Sequence, residues 1–234
     1  LNVPGRQAVS AATLRRLRVP RGFAVSVFAD SLGAPRMLAV GGDGTVYVTR
    51  RDSGDVVALR DTDGDGRADE RRRVVSNIPQ VHGITIHDGE MFLASVTEIW
   101  RAPVNADGTV GEPRLVVNDL PDGGQHPNRT LAVGPDGMLY VSVGSSCNAC
   151  VETNPEHATI LRMRLDGTDR SVHARGLRNT IGWGWHPQTG ELWGMDHGTD
   201  WRGDAIPPEE LNRIQQGRHY GWPFCWGDRR VDSA

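Results

Sequence analysis

Basic side chains recur at matching positions ahead of apolar, strand-like stretches in this sequence. His126 lies five residues before Leu131, and Arg178 lies five residues before Trp183. Three further basic residues stand two positions before an equivalent apolar residue: Arg36, His82 and Arg129. A neutral imidazole can take a proton from a hydroxyl group near neutral pH, and guanidinium groups can hold a carboxylate or stabilise a developing oxyanion. The pattern predicts a proton-transfer site beside a cationic group, with a structural salt bridge as the alternative role for Arg178.

A sequence repeat sets these positions. Each copy consists of an alternating apolar stretch, a tight turn with glycine and a second strand-like stretch. The four copies begin at Arg36, His82, Arg129 and Thr180. Their turn glycines follow one another at intervals of 45, 48 and 53 residues, at Gly44, Gly89, Gly137 and Gly190. Intervals of this size are typical of β-propeller blades.

Further strand-like segments follow the first three hairpins, at residues 55–61, 97–104 and 158–165. Four strands per repeat make one blade, so the sequence predicts an all-β fold, a β-propeller of four-stranded blades. Two short segments have helical signals instead. Ser10 is placed to cap a helix in residues 10–17, and Pro207 and Pro208 precede a Glu-rich turn in residues 207–214.

The predicted organisation is a single propeller domain over residues 1–234, in which residues 1–21 are an N-terminal lead-in segment. We expect about four blades of a six-bladed ring, so that the ring is incomplete and the chain is truncated at its C-terminus. Completing it would take on the order of 100 further residues. A closed ring of four blades is the alternative.

Composition limits the partners. The formal net charge is -3, and neither sign of charge forms a long block, so nucleic-acid or membrane-surface binding has no electrostatic basis. A small molecule is the expected partner. No stretch reaches the 18 or so consecutive apolar residues of a spanning helix.

The three cysteines are too few for a disulfide scaffold. Cys147 and Cys150 form a short C-x-x-C unit in a loop, and Cys225 stands alone. A redox motif would need a neighbouring βαβ pattern, and a zinc site would need a second pair of ligands at suitable spacing. The C-x-x-C unit is therefore interpreted as either a local disulfide or a buried pair of thiols.

An acidic loop resembles the calcium loop of EF-hands. Its carboxylates occupy positions 1, 3, 5 and 9, at Asp61, Asp63, Asp65 and Asp69. Gly66 fills the turn position, but position 12 is Arg72 where calcium loops place a bidentate Glu. The loop is interpreted either as a structural calcium site or as a solvated turn between strands.

Several motifs together resemble one family, the soluble pyrroloquinoline quinone (PQQ) dehydrogenases that act on sorbosone, aldose sugars or glucose. The motifs are the run from His126 to Gly144, the segment GLRNTIGWGWHPQTGELWGMDHG, then PPEELNRI and HYGWP, in that order along nearly the whole chain. The resemblance implies a six-bladed propeller. It also implies oxidation of a sugar by hydride transfer to PQQ with the help of calcium.

The resemblance assigns roles to individual residues. His126 occupies the place of the general base, and Arg178 and Asn179 occupy the place of the pair that contacts the quinone. Arg129, at the same end of its repeat, is a further candidate cofactor contact. His82 falls where relatives place a substrate-facing residue. The backbone carbonyls of Gly198 and Thr199 are candidate ligands of the cofactor's calcium.

Two departures from the family pattern stand out. Ser145 occupies the place of the acid that orients the base in glucose-oxidising relatives, so the second ring nitrogen of His126 needs another partner. The later basic residues with which relatives clamp the cofactor lie beyond this chain.

The resemblance further implies a soluble or membrane electron acceptor and a periplasmic or secreted location. Two other functions remain open at this point. A calcium-dependent propeller lactonase would place acidic residues and Asn around a channel calcium, and a non-enzymatic propeller would serve as a binding module.

Overall fold

The structure is a computed structural model that describes residues 10–203, 205–227 and 230–231. Its single described helix, α1, spans Ala11–Arg15, and the Ser10 Oγ accepts a hydrogen bond from the Thr13 backbone N–H at 3.2 Å. The first predicted helix and its cap are confirmed. No helix among the described residues is long and apolar enough to cross a membrane.

All other regular elements in the described residues are β-strands. They are β1 (Pro35–Val40), β2 (Val46–Arg50), β3 (Asp55–Arg60), β4 (Glu70–Val75), β5 (Gly83–His87), β6 (Glu90–Ala94), β7 (Ile99–Pro103), β8 (Arg114–Val117), β9 (Leu131–Val133), β10 (Leu139–Val143), β11 (Thr159–Met163), β12 (Ser171–Arg175), β13 (Thr180–Trp185), β14 (Leu192–Asp196), β15 (Glu210–Ile214), β16 (Cys225–Trp226) and β17 (Arg230–Val231).

The strands form successive antiparallel sheets in chain order. Sheet 1 contains β1–β4, sheet 2 contains β5–β8, sheet 3 contains β9–β12, and sheet 4 contains β13–β15; β16 and β17 form a separate pair. The first strands of sheets 1, 2 and 3 lie side by side, with β5 between β1 and β9. The sheets are therefore four blades around a common centre, and the predicted all-β propeller is confirmed.

Tight turns match the hairpins predicted from the glycine repeat. Between β5 and β6, Asp88 and Gly89 are the two loop residues, with φ of 48° and 74°. Two consecutive positive φ angles twist a two-residue loop in the sense that antiparallel strands require. Gly89 adopts this conformation without the steric penalty of a side chain.

Apolar clusters join neighbouring blades. Central strands such as β10 are buried along their whole length because sheets pack on both of their faces. Cluster members include Tyr47, Val56 and Met91 between sheets 1 and 2, Phe92, Ile99 and Leu139 between sheets 2 and 3, and Tyr140, Ile160 and Ile214 between sheets 3 and 4. Each large apolar side chain buried in this way contributes about 1.5–3 kcal/mol.

The second predicted helix, in residues 207–214, is wrong. Glu210–Ile214 is strand β15, and it pairs along its full length with β14, from Glu210 opposite Asp196 to Ile214 opposite Leu192. The Pro-Pro-Glu-Glu signal is local. It is overridden because this segment supplies the third strand of sheet 4 and buries Ile214 against the preceding blade.

Strand register brings the predicted site residues to one edge of the blades. The first two strands of each blade are antiparallel, so the beginning of the first lies beside the end of the second. Leu131 at the start of β9 pairs with Val141, and Thr180 at the start of β13 pairs with Asp196. The loops before β9 and β13 and after β10 and β14 therefore meet at the same edge.

Candidate functional site

The site is built from loops of sheets 3 and 4. His126 precedes β9 and Ser145 follows β10, while Arg178 and Asn179 precede β13 and His197 follows β14. The Arg178 guanidinium lies close enough for its charge to act on the His126 imidazole. The structure thus brings together the predicted base and the predicted cation.

Ser145 determines which ring nitrogen of His126 carries the proton. The Ser145 Oγ–H donates to the Cys147 carbonyl at 2.6 Å. Its oxygen can therefore only accept from His126 Nδ1, which lies 2.9 Å from Oγ and 3.0 Å from the Ser145 carbonyl. Because both neighbours of Nδ1 are acceptors, the proton is on Nδ1 and the Nε2 lone pair is free to accept a proton. The second ring nitrogen of His126 therefore does have a partner, and that partner is Ser145, the residue that replaces the family's acid.

The electrostatic surroundings keep His126 neutral. Burial lowers the pKa of its imidazole, and the nearby Arg178 charge lowers it further; the Ser145 carbonyl and the Asp200 carboxylate oppose these effects in part. A lowered pKa leaves the ring uncharged at neutral pH, which is the state a general base needs.

Gly144 allows His126 and Asn179 to lie close together. A Cβ atom at position 144 would stand 2.5 Å from the His126 Cβ and 3.2 Å from the Asn179 Oδ1. The Asn179 backbone N–H donates to Asp196 at 2.9 Å. None of the described residues hydrogen-bonds its side-chain amide, so the amide is free to contact a ligand next to the base.

The Arg178 guanidinium is 2% exposed and most of its donors are engaged. Nε donates to the Asn148 carbonyl at 2.9 Å, Nη1 to the His197 carbonyl at 3.3 Å, and Nη2 to both the Asn148 Oδ1 and the Asp200 Oδ2 at 2.7 Å. The ion pair between Arg178 and Asp200 corresponds to the structural salt bridge that was predicted as the alternative role of Arg178. Five N–H groups are present in a guanidinium, so one Nη1 hydrogen has no acceptor in the part of the chain that the structure describes and can bind a ligand.

Asp196 anchors the backbone of the cationic segment, a role that sequence reasoning missed. Its carboxylate accepts hydrogen bonds from the Arg178 and Asn179 backbone N–H groups at 2.9 Å and from the Thr180 hydroxyl at 2.8 Å. Burial raises the pKa of Asp196 to about 6. The nearby charge on Glu210 also raises this pKa, whereas the three hydrogen-bond donors lower it. No sequence signal separates this aspartate from the other acids of the chain.

Arg129 and His82 are both buried. The Arg129 guanidinium donates to the carbonyls of Pro121, Asp122 and His126 at 2.9 to 3.1 Å and is 0% exposed. It braces the loop that carries His126, and its contact with a cofactor stays a prediction.

His82 lies against the same loop, 2% exposed, with Nδ1 3.0 Å from the Arg129 carbonyl. Burial lowers its pKa to about 4, so the ring is neutral. Its contact with a substrate stays a prediction.

The predicted backbone ligands of calcium have free oxygens, whereas the carboxylates of the acidic loop accept hydrogen bonds from backbone N–H groups of that loop. The carbonyls of Gly198 and Thr199, just after β14, accept no hydrogen bond from the part of the chain that the structure describes. In the acidic loop, carboxylate oxygens of Asp61, Asp63 and Asp65 lie within 4.8 Å of one another. Asp69 faces elsewhere and accepts from the Thr62 backbone N–H and hydroxyl. Calcium binding at either place stays a prediction.

A disulfide closes the loop after β10. Cys147 and Cys150 are bonded, while Cys225 is a free thiol. Of the two interpretations of the C-x-x-C unit, the structure has the local disulfide. Asn148 inside this loop and Asp200 complete the surroundings of Arg178, and neither was indicated by spacing or composition.

Comparisons with known proteins place this site in a shared fold. A family model described as TrAA12-like matches residues 17–233. An uncharacterised protein of Borreliella burgdorferi is 27% identical over 225 residues, covering 90% of this chain and 57% of that protein. The holo PQQ domain of pyranose dehydrogenase from Coprinopsis cinerea has a TM-score of 0.77 at 21% identity, covering 89% of this chain and 58% of that one. The PQQ-bound aldose sugar dehydrogenase of Streptomyces coelicolor has a TM-score of 0.69 at 24% identity, covering 89% and 69%.

At these identities the solved structures share the fold with this chain. They confirm the propeller expected from the sequence resemblance. The chain spans less than two thirds of the Borreliella relative and of the Coprinopsis domain.

Proposed function

The chain belongs to the TrAA12-like family, and from that premise we propose that it oxidises a sugar, with PQQ and calcium as cofactors and His126 as the general base. The observation that carries the proposal is the hydrogen bonding of His126. Both partners of its Nδ1 are acceptors, which leaves Nε2 as an unprotonated base next to a buried cation.

The donor set at this edge fits a carboxylated quinone. Among the described residues, Arg178 makes four hydrogen bonds that leave one N–H without an acceptor, and its one carboxylate partner is Asp200, which is half exposed. Asn179 has an uncommitted amide beside His126. We assign these two residues to hold the cofactor. The free carbonyls of Gly198 and Thr199 suit calcium, which prefers oxygen ligands.

When bound, PQQ would accept the hydride that leaves the sugar carbon, that is, the C–H hydrogen with its two electrons, and calcium would polarise a quinone oxygen. The protein's own residues supply the acid–base chemistry. His126 Nε2 takes the proton from the sugar hydroxyl, and Ser145 stabilises the resulting imidazolium through its two acceptors on Nδ1. Arg178 stabilises negative charge that develops on oxygen.

The sugar is oxidised in a compartment outside the cytoplasm under this proposal, with a soluble or membrane electron acceptor. The disulfide between Cys147 and Cys150 supports the location, because such bonds persist in oxidising compartments such as the periplasm or the extracellular space.

A reconstitution experiment tests the proposal. The protein is mixed with PQQ and calcium chloride, and reduction of an artificial dye is followed with a panel of aldoses. We expect dye reduction by the wild type, and quinone absorbance that stays with the protein during gel filtration. His126→Ala should keep the absorbance and lose turnover by about 10²- to 10⁴-fold.

Absence of both dye reduction and retained absorbance would refute the function. Lactone hydrolysis by the same preparation, without dye reduction, would favour a calcium-dependent hydrolase instead.

A further inference from the structure

The disulfide-closed loop Cys147–Cys150 accepts hydrogen bonds from Arg178 directly and is connected to His126 through Ser145. Three residues separate it from the end of β10, and its residues are partly buried except for the exposed Ala149. The cross-link joins residues three positions apart. A ring this short restricts the unfolded chain little, because the entropic effect of a disulfide grows with the length of the closed segment. Its main effect is therefore on local order.

One branch of contacts runs from the loop to the base. The Cys147 carbonyl accepts the Ser145 Oγ–H at 2.6 Å. This bond commits the only hydroxyl proton, so the Ser145 oxygen faces His126 Nδ1 as an acceptor at 2.9 Å. If the Cys147 carbonyl moved away, the hydroxyl could rotate and donate to Nδ1, which would place the imidazole proton on Nε2 and remove the base.

A second branch runs from the loop to the cation. Asn148 receives two hydrogen bonds from Arg178, on its carbonyl at 2.9 Å and on Oδ1 at 2.7 Å. The same carbonyl accepts from Trp222 Nε1 at 3.2 Å, and Oδ1 accepts from the Asp200 backbone N–H at 2.8 Å. One residue thus links the arginine to its counterion and to the segment that follows β15.

We propose that the loop Cys147–Cys150 is the positioning element of the site, with the disulfide holding the Cys147 carbonyl against Ser145 and Asn148 acting as the positioning residue for Arg178. Its effect on catalysis rests on the proposed function. Its effect on the His126 proton and on Arg178 does not, because both exist in the protein without a cofactor.

The first test therefore uses cofactor-free protein. The paired substitution Cys147→Ser and Cys150→Ser removes the cross-link at nearly constant side-chain size. ¹⁵N-labelled histidine spectra report the tautomer, because protonated and unprotonated ring nitrogens give separate signals, and a His126→Gln spectrum assigns the resonances. We expect a single Nδ1–H tautomer in the wild type and a mixture in the paired variant. Cys225→Ser, which removes the free thiol, is the matched control and should keep the wild-type pattern.

The second test concerns Asn148. In Asn148→Ala, the Arg178 Nη2 hydrogens should exchange with solvent at least tenfold faster, because Nη2 loses its hydrogen bond to Oδ1, while Nε–H keeps the backbone carbonyl of residue 148. Asn148→Asp keeps that oxygen and should restore slow exchange. Ala149→Ser, an exposed change in the same loop, should have no effect.

With PQQ and calcium added, the paired cysteine variant should lose about 10- to 100-fold in kcat with little change in KM, as expected for misplaced catalytic groups. A lower melting temperature with an unchanged His126 tautomer and unchanged Arg178 exchange would overturn the proposal, since the loop would then be structural only. If the wild type shows no turnover, the proposed function fails, while the two cofactor-free tests still decide the role of the loop.

Discussion

Removal of the Ser145 hydroxyl tests the orientation of the base most directly. Ser145→Ala deletes one of the two acceptors on His126 Nδ1 and keeps the other, the position-145 carbonyl at 3.0 Å. The side chain is fully buried, so no water replaces the lost oxygen at the surface. A neutral hydrogen bond contributes about 1 kcal/mol, which corresponds to roughly a fivefold change in an equilibrium or rate.

We therefore expect kcat/KM for sugar oxidation to fall by roughly five- to tenfold in Ser145→Ala, well short of the loss in His126→Ala. The pH dependence of kcat/KM should also change, and the direction of this change can be predicted. An acceptor on Nδ1 favours the imidazolium, so its loss lowers the pKa of His126 further. Activity requires the neutral ring and is lost as pH falls through that pKa. The acid limb of kcat/KM should therefore move to lower pH.

Ser146→Ala is the matched control. The Ser146 hydroxyl donates to Glu152 at 2.6 Å and makes no contact with His126. Dye-coupled kinetics across the pH range, with PQQ and calcium saturating, measure all three proteins. Equal rates in the two serine variants would refute the reasoning, as would an acid limb that moves to higher pH in Ser145→Ala.

Three more predictions follow from contacts at the same edge. Gly144→Ala should abolish turnover while the circular dichroism spectrum stays native, because the new methyl would stand 2.5 Å from the His126 Cβ. Asp200→Asn should tighten PQQ binding by roughly two- to fivefold in equilibrium titrations, because it removes the exposed carboxylate that competes for Arg178. The pKa of Asp196 is raised to about 6 from 3.8, so the protonated carboxyl stabilises the folded protein at low pH, and this contribution is lost as pH rises through 6. Relative to Asp196→Asn, the unfolding free energy of the wild type should therefore fall by about 3 kcal/mol between pH 3 and pH 7. Denaturant titrations of both proteins measure this difference.

Clear outcomes would contradict these three predictions. Wild-type turnover in Gly144→Ala would mean that the close approach of His126 and Asn179 does not depend on a glycine at position 144. Unchanged or weaker PQQ binding in Asp200→Asn would show that the carboxylate does not compete with the cofactor. A stability difference that is independent of pH would show that Asp196 titrates alike in the folded and unfolded chain.

Most of the blade architecture could be predicted from the sequence. The glycine repeat placed the hairpins, and strand alternation identified the first three strands of each of the first three blades, while the fourth strands β4, β8 and β12 were not located. The prediction failed at residues 207–214, where local residue preferences favoured a helix. That segment is a strand because β14 offers it a hydrogen-bonding edge, and a local pattern carries no information about such a distant partner.

The site could be predicted in part. Register counting placed His126, Arg178 and Asn179 at one edge because antiparallel pairing makes equivalent positions coincide. The partners of these residues could not be found in this way. Asn148 is 30 positions from Arg178, and its loop has no repeat and no strand pattern.

The periodic features of this protein can be predicted from its sequence: strand alternation, turn glycines and the shared edge of residues in equivalent repeat positions. These features depend on neighbouring residues and on a constant repeat length. Only the tertiary structure decided that the Ser145 hydroxyl points to Cys147, that Arg129 braces a loop, and that a disulfide rather than a thiol pair closes the loop beside the base. Each depends on distances and donor directions between loops of different length, and these are set by how the blades pack.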